Sequence, residues 1–388
     1  MTSASTGTWT GAPATLANWR TAPHNRWAFH HVREIVPSAE IRNDPGQVRP
    51  LAQGEQIEMP AVDTREGALA YDDLMEKIDI DALVVAQQGK ILHERYRNGM
   101  GAGDPHILMS VSKSMLGLLY GVLSDRGLVD INAPASDYIP ALQGTAFQGA
   151  TIRHLLDMRT GVTFDEDYEL TEGPIVDYRK STNWNPLAAG DPVIDLHDFL
   201  LTLRETHTGH GGPFNYVSPC TDLLGWIVER VTGLPYAQAF SQHLWQPLGA
   251  ERPAYITVDR VGAPRAAGGV CMTARDLTRI GLMIADGGNG VVPQSWLHDI
   301  ATAGDPKAWD TGGFAKDYPG WSMHYRSKWY VIRDKGPILM CVGIHGQNLF
   351  ICLNTGLVMA KFASFPTALD TSGERLGLRL FQAIRDTC

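Results

Sequence analysis

The 388-residue sequence has few cysteines, and their spacing follows no known binding or disulfide pattern. The count is odd and no Cys-x-x-Cys pair occurs; the five are Cys220, Cys271, Cys341, Cys352 and Cys388. This argues against both a disulfide framework and a structural zinc site. The 13 histidines contain no His-x-x-x-His pair, and no cofactor fingerprint is present. We therefore expect mostly buried free thiols, no metal and no cofactor.

Long apolar runs and an excess of positive charge are also absent. No run approaches the roughly 20 residues that span a membrane. Residues 1–7 lack the basic and apolar regions of a secretory signal. The 33 Lys and Arg against 42 Asp and Glu give a net charge of −9, which argues against nucleic acid as a partner. We therefore expect a soluble, cytoplasmic protein that binds neither nucleic acid nor membranes.

Apolar runs and turn residues predict strands at both ends of the chain. Residues 82–86 and 91–96 flank a glycine-containing turn, which predicts a β-hairpin. Apolar residues at i, i+3, i+4 spacing predict a helix from about 112 to 126, with Gly127 ending it. The C-terminal part predicts a final helix at about 374–385 and four strands, at 329–332, 338–342, 349–353 and 357–361.

The middle of the chain has a different pattern, in which helical periodicity alternates with loops and strand signals are scarce. We predict a discontinuous α/β lobe, residues 1–130 and 269–388, with an antiparallel sheet flanked by helices. Residues 131–268 are predicted to form an inserted, mainly helical lobe, with the active site between the two lobes. The scattered tryptophans within residues 1–65 favour an ordered wrap over the surface rather than a free tail.

The main chemical motif is a Ser-x-x-Lys tetrad, Ser110 to Lys113, at the predicted start of a helix. Residues three apart on a helix share a face, so the Lys113 amine can reach the Ser110 hydroxyl. The helix N-terminus adds a positive field and free N–H groups that favour an oxyanion. Flanking apolar residues predict that Lys113 is buried, which would lower its pKa and make it a workable base. A capping serine followed by a surface lysine is the alternative.

Two further segments occur in the order and spacing of an enzyme superfamily. They are the loop segment with Tyr216 and Ser218, and the strand segment Cys341-Val342-Gly343. With the tetrad, they resemble the three motifs of the serine β-lactamase and D-Ala-D-Ala carboxypeptidase superfamily, in particular its class C-like members. Longer strings are similar to the nylon-oligomer (6-aminohexanoate-dimer) hydrolases within it: residues 22–29, 108–114, 165–168, 226–234 and 343–349.

The resemblance implies a β-lactamase/transpeptidase-like fold and a role for each matching residue. Ser110 is the implied nucleophile, Lys113 the base and Tyr216 the proton donor to the leaving group. The N–H groups of Ser110 and Ile344 form the implied oxyanion hole. Tyr168 would hydrogen-bond the scissile nitrogen, and Trp184 would close over substrate on a mobile loop. The implied substrate-binding residues are Tyr168, Trp184, Ala267, Gly343 and His345.

Simpler interpretations remain open for several of these residues. Tyr216 can be an ordinary loop tyrosine, Tyr168 and Trp184 can be packing residues of loops, and His345 can be a packed residue at a strand end. Ala267 stands where the nylon-oligomer enzymes have a polar side chain, which leaves open whether amides or esters are preferred.

We predict a serine hydrolase that cleaves small-molecule amides or esters through an acyl-serine, with a homodimer as a hypothesis for its assembly. A β-lactamase, D-aminopeptidase or DD-peptidase-like hydrolase is the first alternative. Cys341 argues against it, because it replaces the lysine with which the family binds a substrate carboxylate. Ser218 also differs from the family motif, because many relatives have Asn at this position. A catalytically silent binding or scaffold protein on the same fold is the second alternative.

Overall fold

The structure is a computed structural model that describes residues 13–333 and 336–387. Its strands are β1 Ser38–Ile41, β2 Ala52–Gln53, β3 Val62–Thr64, β4 Gly67–Leu69, β5 Ile80–Gln87, β6 Lys90–Tyr96, β7 His106–Ile107, β8 Ala254–Thr257, β9 Val270–Met272, β10 Met323–Arg326, β11 Trp329–Ile332, β12 Ile338–Gly343, β13 Gln347–Cys352 and β14 Leu357–Ala363. Its α-helices are α1 Asn25–Ala28, α2 Tyr71–Lys77, α3 Val111–Asp125, α4 Ala135–Tyr138, α5 Ile152–Leu156, α6 Pro174–Ser181, α7 Leu196–Thr202, α8 Pro219–Thr232, α9 Tyr236–Phe240, α10 Gln246–Leu248, α11 Ala274–Ala285, α12 Gln294–Thr302, α13 Pro306–Asp310 and α14 Thr371–Thr387.

Strands from both ends of the chain build the large sheet. Its order is β10-β11-β12-β13-β14-β5-β6-β2, so the early hairpin β5–β6 lies beside the late strand β14. Ala360 of β14 pairs with Val84 of β5 in antiparallel register. The other pairs are antiparallel too, except β2 with β6 at the edge, which is parallel. The predicted antiparallel sheet with flanking helices is confirmed.

Helices cover both faces of this sheet, and successive side chains of a strand point to opposite faces. Gly281 of α11 lies against Val358, and a Cβ at Gly281 would come within 2.4 Å of that side chain. Lys361, three residues along β14, faces the opposite side, where it meets α14. Phe350 of β13 stacks on Phe381 of α14 with ring centroids 5.4 Å apart. The sheet is therefore enclosed between α11 and α14.

Several strands lie where the sequence pattern does not predict them, among them β8 and β10. β8 pairs with β1 and β9 in a second sheet of order β1-β8-β9-β7 and is the single strand between residues 131 and 268, a span that the structure describes completely. All four residues of β8 are buried, but the strand is short and ends in Ala254 and Thr257, so it lacks the apolar run that predicts the other buried strands. The first three residues of β10 are buried as well. The division into two lobes stays a prediction.

The N-terminal segment packs on the fold in an ordered way over its described part. The Trp19 side chain is buried, and its ring lies edge-on to Phe29 and to Trp184, with centroids 6.2 and 5.2 Å apart. Trp27 stacks on His31 at 4.2 Å. Trp9 lies outside the described residues. These contacts agree with the predicted wrap and bring the N-terminal segment close to Trp184.

The structure bears on two features that the composition predicts, the lack of a membrane-spanning helix and the state of the cysteines. Within the described residues, no helix combines the length and the apolar character needed to cross a membrane. Cys388 lies outside the described residues. The other four cysteines are buried free thiols, as predicted: Cys220, Cys271, Cys341 and Cys352.

Candidate active site

Ser110 lies at the N-terminal end of α3, where the chain turns sharply after β7. Met109, the preceding residue, has φ +47°, in the left-handed region that side chains rarely adopt. Ser110 occupies the N-cap position, but its side chain makes no capping hydrogen bond. The strained turn therefore leaves the Ser110 hydroxyl free to face a cavity rather than the helix.

Lys113 is buried one turn into α3, with 2% of its surface exposed. Its Nζ lies 2.8 Å from Ser110 Oγ and donates to the carbonyl oxygen of Ala267 at 2.6 Å. Burial lowers the pKa of Lys113 to about 7, and the Glu166 carboxylate only partly opposes this shift. A substantial fraction of the amine is therefore neutral near pH 7, as a general base requires.

Tyr216 lies on the other side of the same pair. The Lys113 Nζ sits 5.1 Å from the centre of the Tyr216 ring, and the Ser110 side chain hydrogen-bonds the Tyr216 hydroxyl. The ring also stacks on Phe314, with centroids 5.1 Å apart. Burial, together with the nearby Glu166 carboxylate, raises the pKa of Tyr216 well above its usual value. The phenol therefore stays protonated and can donate a proton.

A buried polar cluster behind Lys113 holds the Ala267 carbonyl in place. Asp222 of α8 accepts a hydrogen bond from the Ala267 backbone N–H at 2.7 Å. The same carboxylate accepts from Arg265 and from the Tyr178 hydroxyl. Sequence reasoning missed Asp222 and Arg265. The one local feature that could have pointed to Asp222 is its position on a helix, six residues after Tyr216.

Glu166 organises the wall beside Tyr216 and was also missed. Its carboxylate accepts hydrogen bonds from the Tyr168 hydroxyl at 2.9 Å and from the Ser218 backbone N–H at 2.7 Å. It also accepts from the Ser218 hydroxyl, so that side chain is committed to Glu166. Tyr168 lies in the cavity wall, where its ring is close enough to Ser110 to contact a substrate bound there.

The end of β12 brings a second backbone segment to Ser110. A Cβ at Gly343 would lie 2.6 Å from the Leu108 carbonyl oxygen, so a glycine lets β12 end against the chain just before Ser110. Ile344 follows and lines the same cavity as Ser110. Within residues 13–333 and 336–387, neither the Ser110 nor the Ile344 N–H donates to another protein group. Both are therefore available to a bound oxyanion.

His345 is placed outside the cavity, in the packing role that was the alternative for it. Its Nδ1–H donates to the Phe365 carbonyl oxygen at 2.8 Å, and its ring lies against Phe29 with centroids 5.1 Å apart. Burial lowers the pKa of His345 to about 4, so the ring is neutral at physiological pH. The residue is 4% exposed and lines neither cavity at Ser110. The fold therefore does not bring His345 to either cavity at Ser110.

Trp184 is buried between the N-terminal segment and the site. Its indole N–H donates to Thr257 Oγ1 at 3.0 Å, and its backbone carbonyl accepts from the Trp19 indole at 3.2 Å. The ring lies against Gly268, where a Cβ would come within 3.0 Å of it. Trp184 and Ala267 both line a small cavity next to Ser110.

Two cavities meet at Ser110. The larger, of about 510 Å³, has Tyr168, Tyr216 and Ile344 in its walls. Its remaining aromatic lining comprises Phe214, Phe314, Tyr318, Trp321, Tyr330 and Phe350, and its carboxylates are Asp165, Glu166, Asp167, Asp317, Asp370 and Glu374. The smaller, of about 20 Å³, includes Lys113, Trp184 and Ala267. Ser110 is therefore accessible from a mainly aromatic cavity large enough for a small-molecule substrate.

Comparison with known proteins places this site in a family. The β-lactamase family model matches residues 70–381. The 6-aminohexanoate-dimer hydrolase of Paenarthrobacter ureafaciens is 39% identical over 358 residues, which cover 91% of this chain and 88% of that protein. Esterase EstB of Burkholderia gladioli is 30% identical over 198 residues, 45% of this chain and 47% of that protein.

The fold has a close counterpart among solved structures. A structure from Bacillus anthracis, described as a 6-aminohexanoate-dimer hydrolase, superposes with a TM-score of 0.88 at 26% identity. The superposition covers 97% of this chain and 98% of the other. The predicted β-lactamase/transpeptidase-like fold is confirmed. The chain belongs to the β-lactamase family and is an enzyme, a serine hydrolase of that family.

Proposed function

We propose that this protein hydrolyses short amides or esters through an acyl-serine intermediate, with Ser110 as the nucleophile. The observation that carries the proposal is the 2.8 Å distance between Lys113 Nζ and Ser110 Oγ, with that lysine buried. The neutral amine takes the hydroxyl proton as Oγ attacks the carbonyl carbon of the substrate. The Ala267 carbonyl keeps the amine in line through its hydrogen bond.

The developing oxyanion is stabilised by two backbone donors. The N–H of Ser110 lies at the N-terminus of α3, where the helix dipole favours negative charge. The N–H of Ile344 comes from the turn after β12 and is unpartnered within the described part of the chain. Removing one such donor in a serine hydrolase typically costs about 10²–10³ in kcat.

Tyr216 completes the first half of the reaction. As the tetrahedral intermediate collapses, its phenol gives a proton to the leaving nitrogen or oxygen, and the protonated Lys113 returns a proton to Tyr216. A water molecule then attacks the acyl carbon and releases the acid and the free Ser110. We assign Tyr168, which hydrogen-bonds Glu166, to holding the scissile group within the cavity.

The alternatives are less well supported by the site. The strand position that carries a cation in β-lactam-recognising relatives is the buried thiol of Cys341. Lys328 is another buried lysine, but its amine donates to the Leu155 carbonyl at 2.6 Å and so does not supply the missing cation. A silent scaffold would have to tolerate Lys113 desolvated beside a serine without a function that needs it, which costs stability.

The cellular compartment and the oligomeric state of the enzyme are two secondary hypotheses. We place the enzyme in the cytoplasm, because its four described cysteines are free thiols, which persist in a reducing compartment. The homodimer stays a hypothesis that sedimentation equilibrium would test.

The test is turnover of two substrate classes by the purified protein. A p-nitrophenyl ester series and the linear 6-aminohexanoate dimer are each incubated with the wild type, with Ser110→Ala and with Ser124→Ala. Ser124 lies on the same helix, away from the site, and serves as the matched control. We expect ester or dimer hydrolysis that Ser110→Ala abolishes and Ser124→Ala retains. Undiminished hydrolysis by Ser110→Ala would remove Ser110 as the nucleophile.

A further inference from the structure

The small cavity beside Ser110 is surrounded by three arginines from distant parts of the chain. They are Arg20 from the N-terminal segment, Arg179 from α6 and Arg265 from the segment before β9. Since a water molecule needs about 10–15 Å³ of such space, the cavity of about 20 Å³ holds one small group. Because the β-lactamase family model begins at residue 70, Arg20 lies outside the matched region.

The positive charge around this cavity is only partly balanced by carboxylates. Arg265 is paired with Asp222. The Arg20 guanidinium donates to the side-chain oxygen of Asn185, which is neutral. Arg179 donates to two backbone carbonyls, the closer being that of Tyr168 at 3.0 Å. Among the described residues, neither Arg20 nor Arg179 has a carboxylate oxygen within 4.0 Å.

Glu166 is the carboxylate in the wall of this cavity, and both of its oxygens already accept hydrogen bonds. Its oxygens accept from Tyr168 and from both the backbone and the side chain of Ser218. It therefore contributes negative charge nearby but holds neither free arginine directly. The cavity keeps an excess of positive charge next to Ser110.

Two of the guanidinium groups also have buried donors without partners. The Nε atoms of Arg20 and Arg265 are inaccessible to solvent and make no hydrogen bond. Burial and the two neighbouring arginines lower the pKa of Arg20 to about 9, which leaves it charged at neutral pH. Crowded, incompletely paired cations are costly, and an anion with two acceptor oxygens would offset that cost.

We infer that the small cavity binds a carboxylate at the acyl end of the substrate. The inference rests on the proposed acyl-serine mechanism, which fixes the direction of the substrate. Tyr216, the leaving-group acid, lines the larger cavity and not the smaller one. The leaving group therefore departs into the larger cavity, whose charged side chains are mostly acidic, and the acyl substituent extends toward Arg20 and Arg179.

The charge pattern also defines substrates that should be poor. The linear 6-aminohexanoate dimer carries an ammonium at its acyl end and a carboxylate on its amine part. Its charges are opposite to those that the two cavities favour. A short dicarboxylic acid, esterified or amidated at one end, has the matching order of charges.

The test uses benzyl esters that share one leaving group and differ in the charge of the acyl part. Monobenzyl malonate and monobenzyl succinate are anionic, benzyl 3-methylbutanoate and benzyl 4-methylpentanoate are their neutral counterparts of similar shape, and benzyl 3-aminopropanoate is cationic. We expect a kcat/KM at least about tenfold higher for an anionic ester than for its neutral counterpart, and lowest for the cation. Equal values, or a preference for the cation, would overturn the inference.

Substitutions of Arg20 and Arg179 test whether these arginines cause the preference for anionic esters. Arg20→Gln and Arg179→Gln should each lower the anionic-to-neutral ratio by at least about tenfold, whereas Arg179→Lys should retain much of it. Arg204→Gln is the matched control, because Arg204 also donates to a backbone carbonyl but lines neither cavity. A merely structural role of Arg179 would change the two rates equally. A ratio that survives in both glutamine variants would therefore contradict the assignment.

A binding measurement separates this inference from the proposed function. Hydrolysis of the neutral esters tests the acyl-serine mechanism alone, and only the ratio tests the anion site. If no benzyl ester is hydrolysed, the ester branch of the proposed function fails, and calorimetric titration with malonate still tests the site. We expect malonate to bind the wild type and Arg204→Gln more tightly than Arg179→Gln or Arg20→Gln. Equal binding by all four, or none, would overturn the anion site.

Discussion

Among single residues, Lys113 sets the expected pH dependence. The neutral amine is the active form, and the pKa of Lys113 lies near 7 because the side chain is buried. The neutral fraction therefore falls about tenfold per pH unit below that value and is nearly complete above about pH 8. We expect kcat/KM for an uncharged ester to rise with pH through 7 and then level off.

The pH profile is measured with benzyl 3-methylbutanoate, which has no group that ionises between pH 5 and 9. Lys113→Arg supplies the control, since an arginine stays protonated across this range. It should lose activity by at least about 10²-fold. A wild-type profile that is flat from pH 5 to 9 would mean that Lys113 is not the base.

Tyr216 distinguishes amide from ester hydrolysis. An amine is a poor leaving group without a proton, whereas the alcohol of an activated ester needs less help. Tyr216→Phe should therefore reduce amide hydrolysis about 100-fold or more and ester hydrolysis by less than about tenfold. The two rates are compared on an anilide and a p-nitrophenyl ester of the same acid. Equal losses would contradict its role as the leaving-group acid.

The sequence predicts residues of the site where the spacing is local, and misses them where it is not. Ser110 and Lys113 are three residues apart on one helix, so their contact follows from helical geometry. Asp222 reaches Ala267 across 45 positions, and Ser218 reaches Glu166 across 52. Those contacts depend on how helices and loops pack, which no local pattern encodes.

Among the secondary-structure elements, the contact between α8 and the segment before β9 is expected to be important for stability. Asp222 is fully buried and pairs with Arg265 while also holding the Ala267 backbone. Asp222→Ala leaves the guanidinium buried without its partner, which typically costs about 3–5 kcal/mol. We expect a loss of that order in the free energy of unfolding, measured by urea denaturation.

A second substitution separates charge from packing in that prediction. In Asp222→Ala with Arg265→Met, the guanidinium that had lost its partner is removed, so a large part of the lost stability should return. The hydrolytic rate should stay low, because the Ala267 backbone is still released. A double variant as unstable as Asp222→Ala alone would show that the buried charge is not the cause.

Apolar runs and helical spacing predict several elements that lie almost wholly in the core. The helix α3 and the strands β11 to β14 begin and end within about two residues of their predicted bounds. β8 and β10 were not predicted, since each is four residues long and mixes apolar with polar or small side chains. His345 shows the same limit at a turn, because its contacts with Phe29 and Phe365 come from distant segments.

For the whole molecule, the resemblance to a family predicted the fold correctly, and the charge around the site required the structure. Strands from both ends of the chain meet at β5 and β14, which brings the segment before Ser110 against the end of β12. Arg20 reaches the same point from the N-terminal segment. Net charge alone, −9 over the chain, gives no hint of a small basic cavity beside the nucleophile.

The central claim, an acyl-enzyme on Ser110, is tested most directly by mass spectrometry of the intact protein. The enzyme is mixed with p-nitrophenyl acetate, quenched with acid within its first turnovers, weighed, and digested to locate any acetyl group. We predict one acetyl group on the peptide that contains Ser110, and none there in Ser110→Ala. An acetyl group on another residue that forms and decays at the turnover rate, or an adduct unchanged in Ser110→Ala, would contradict the mechanism.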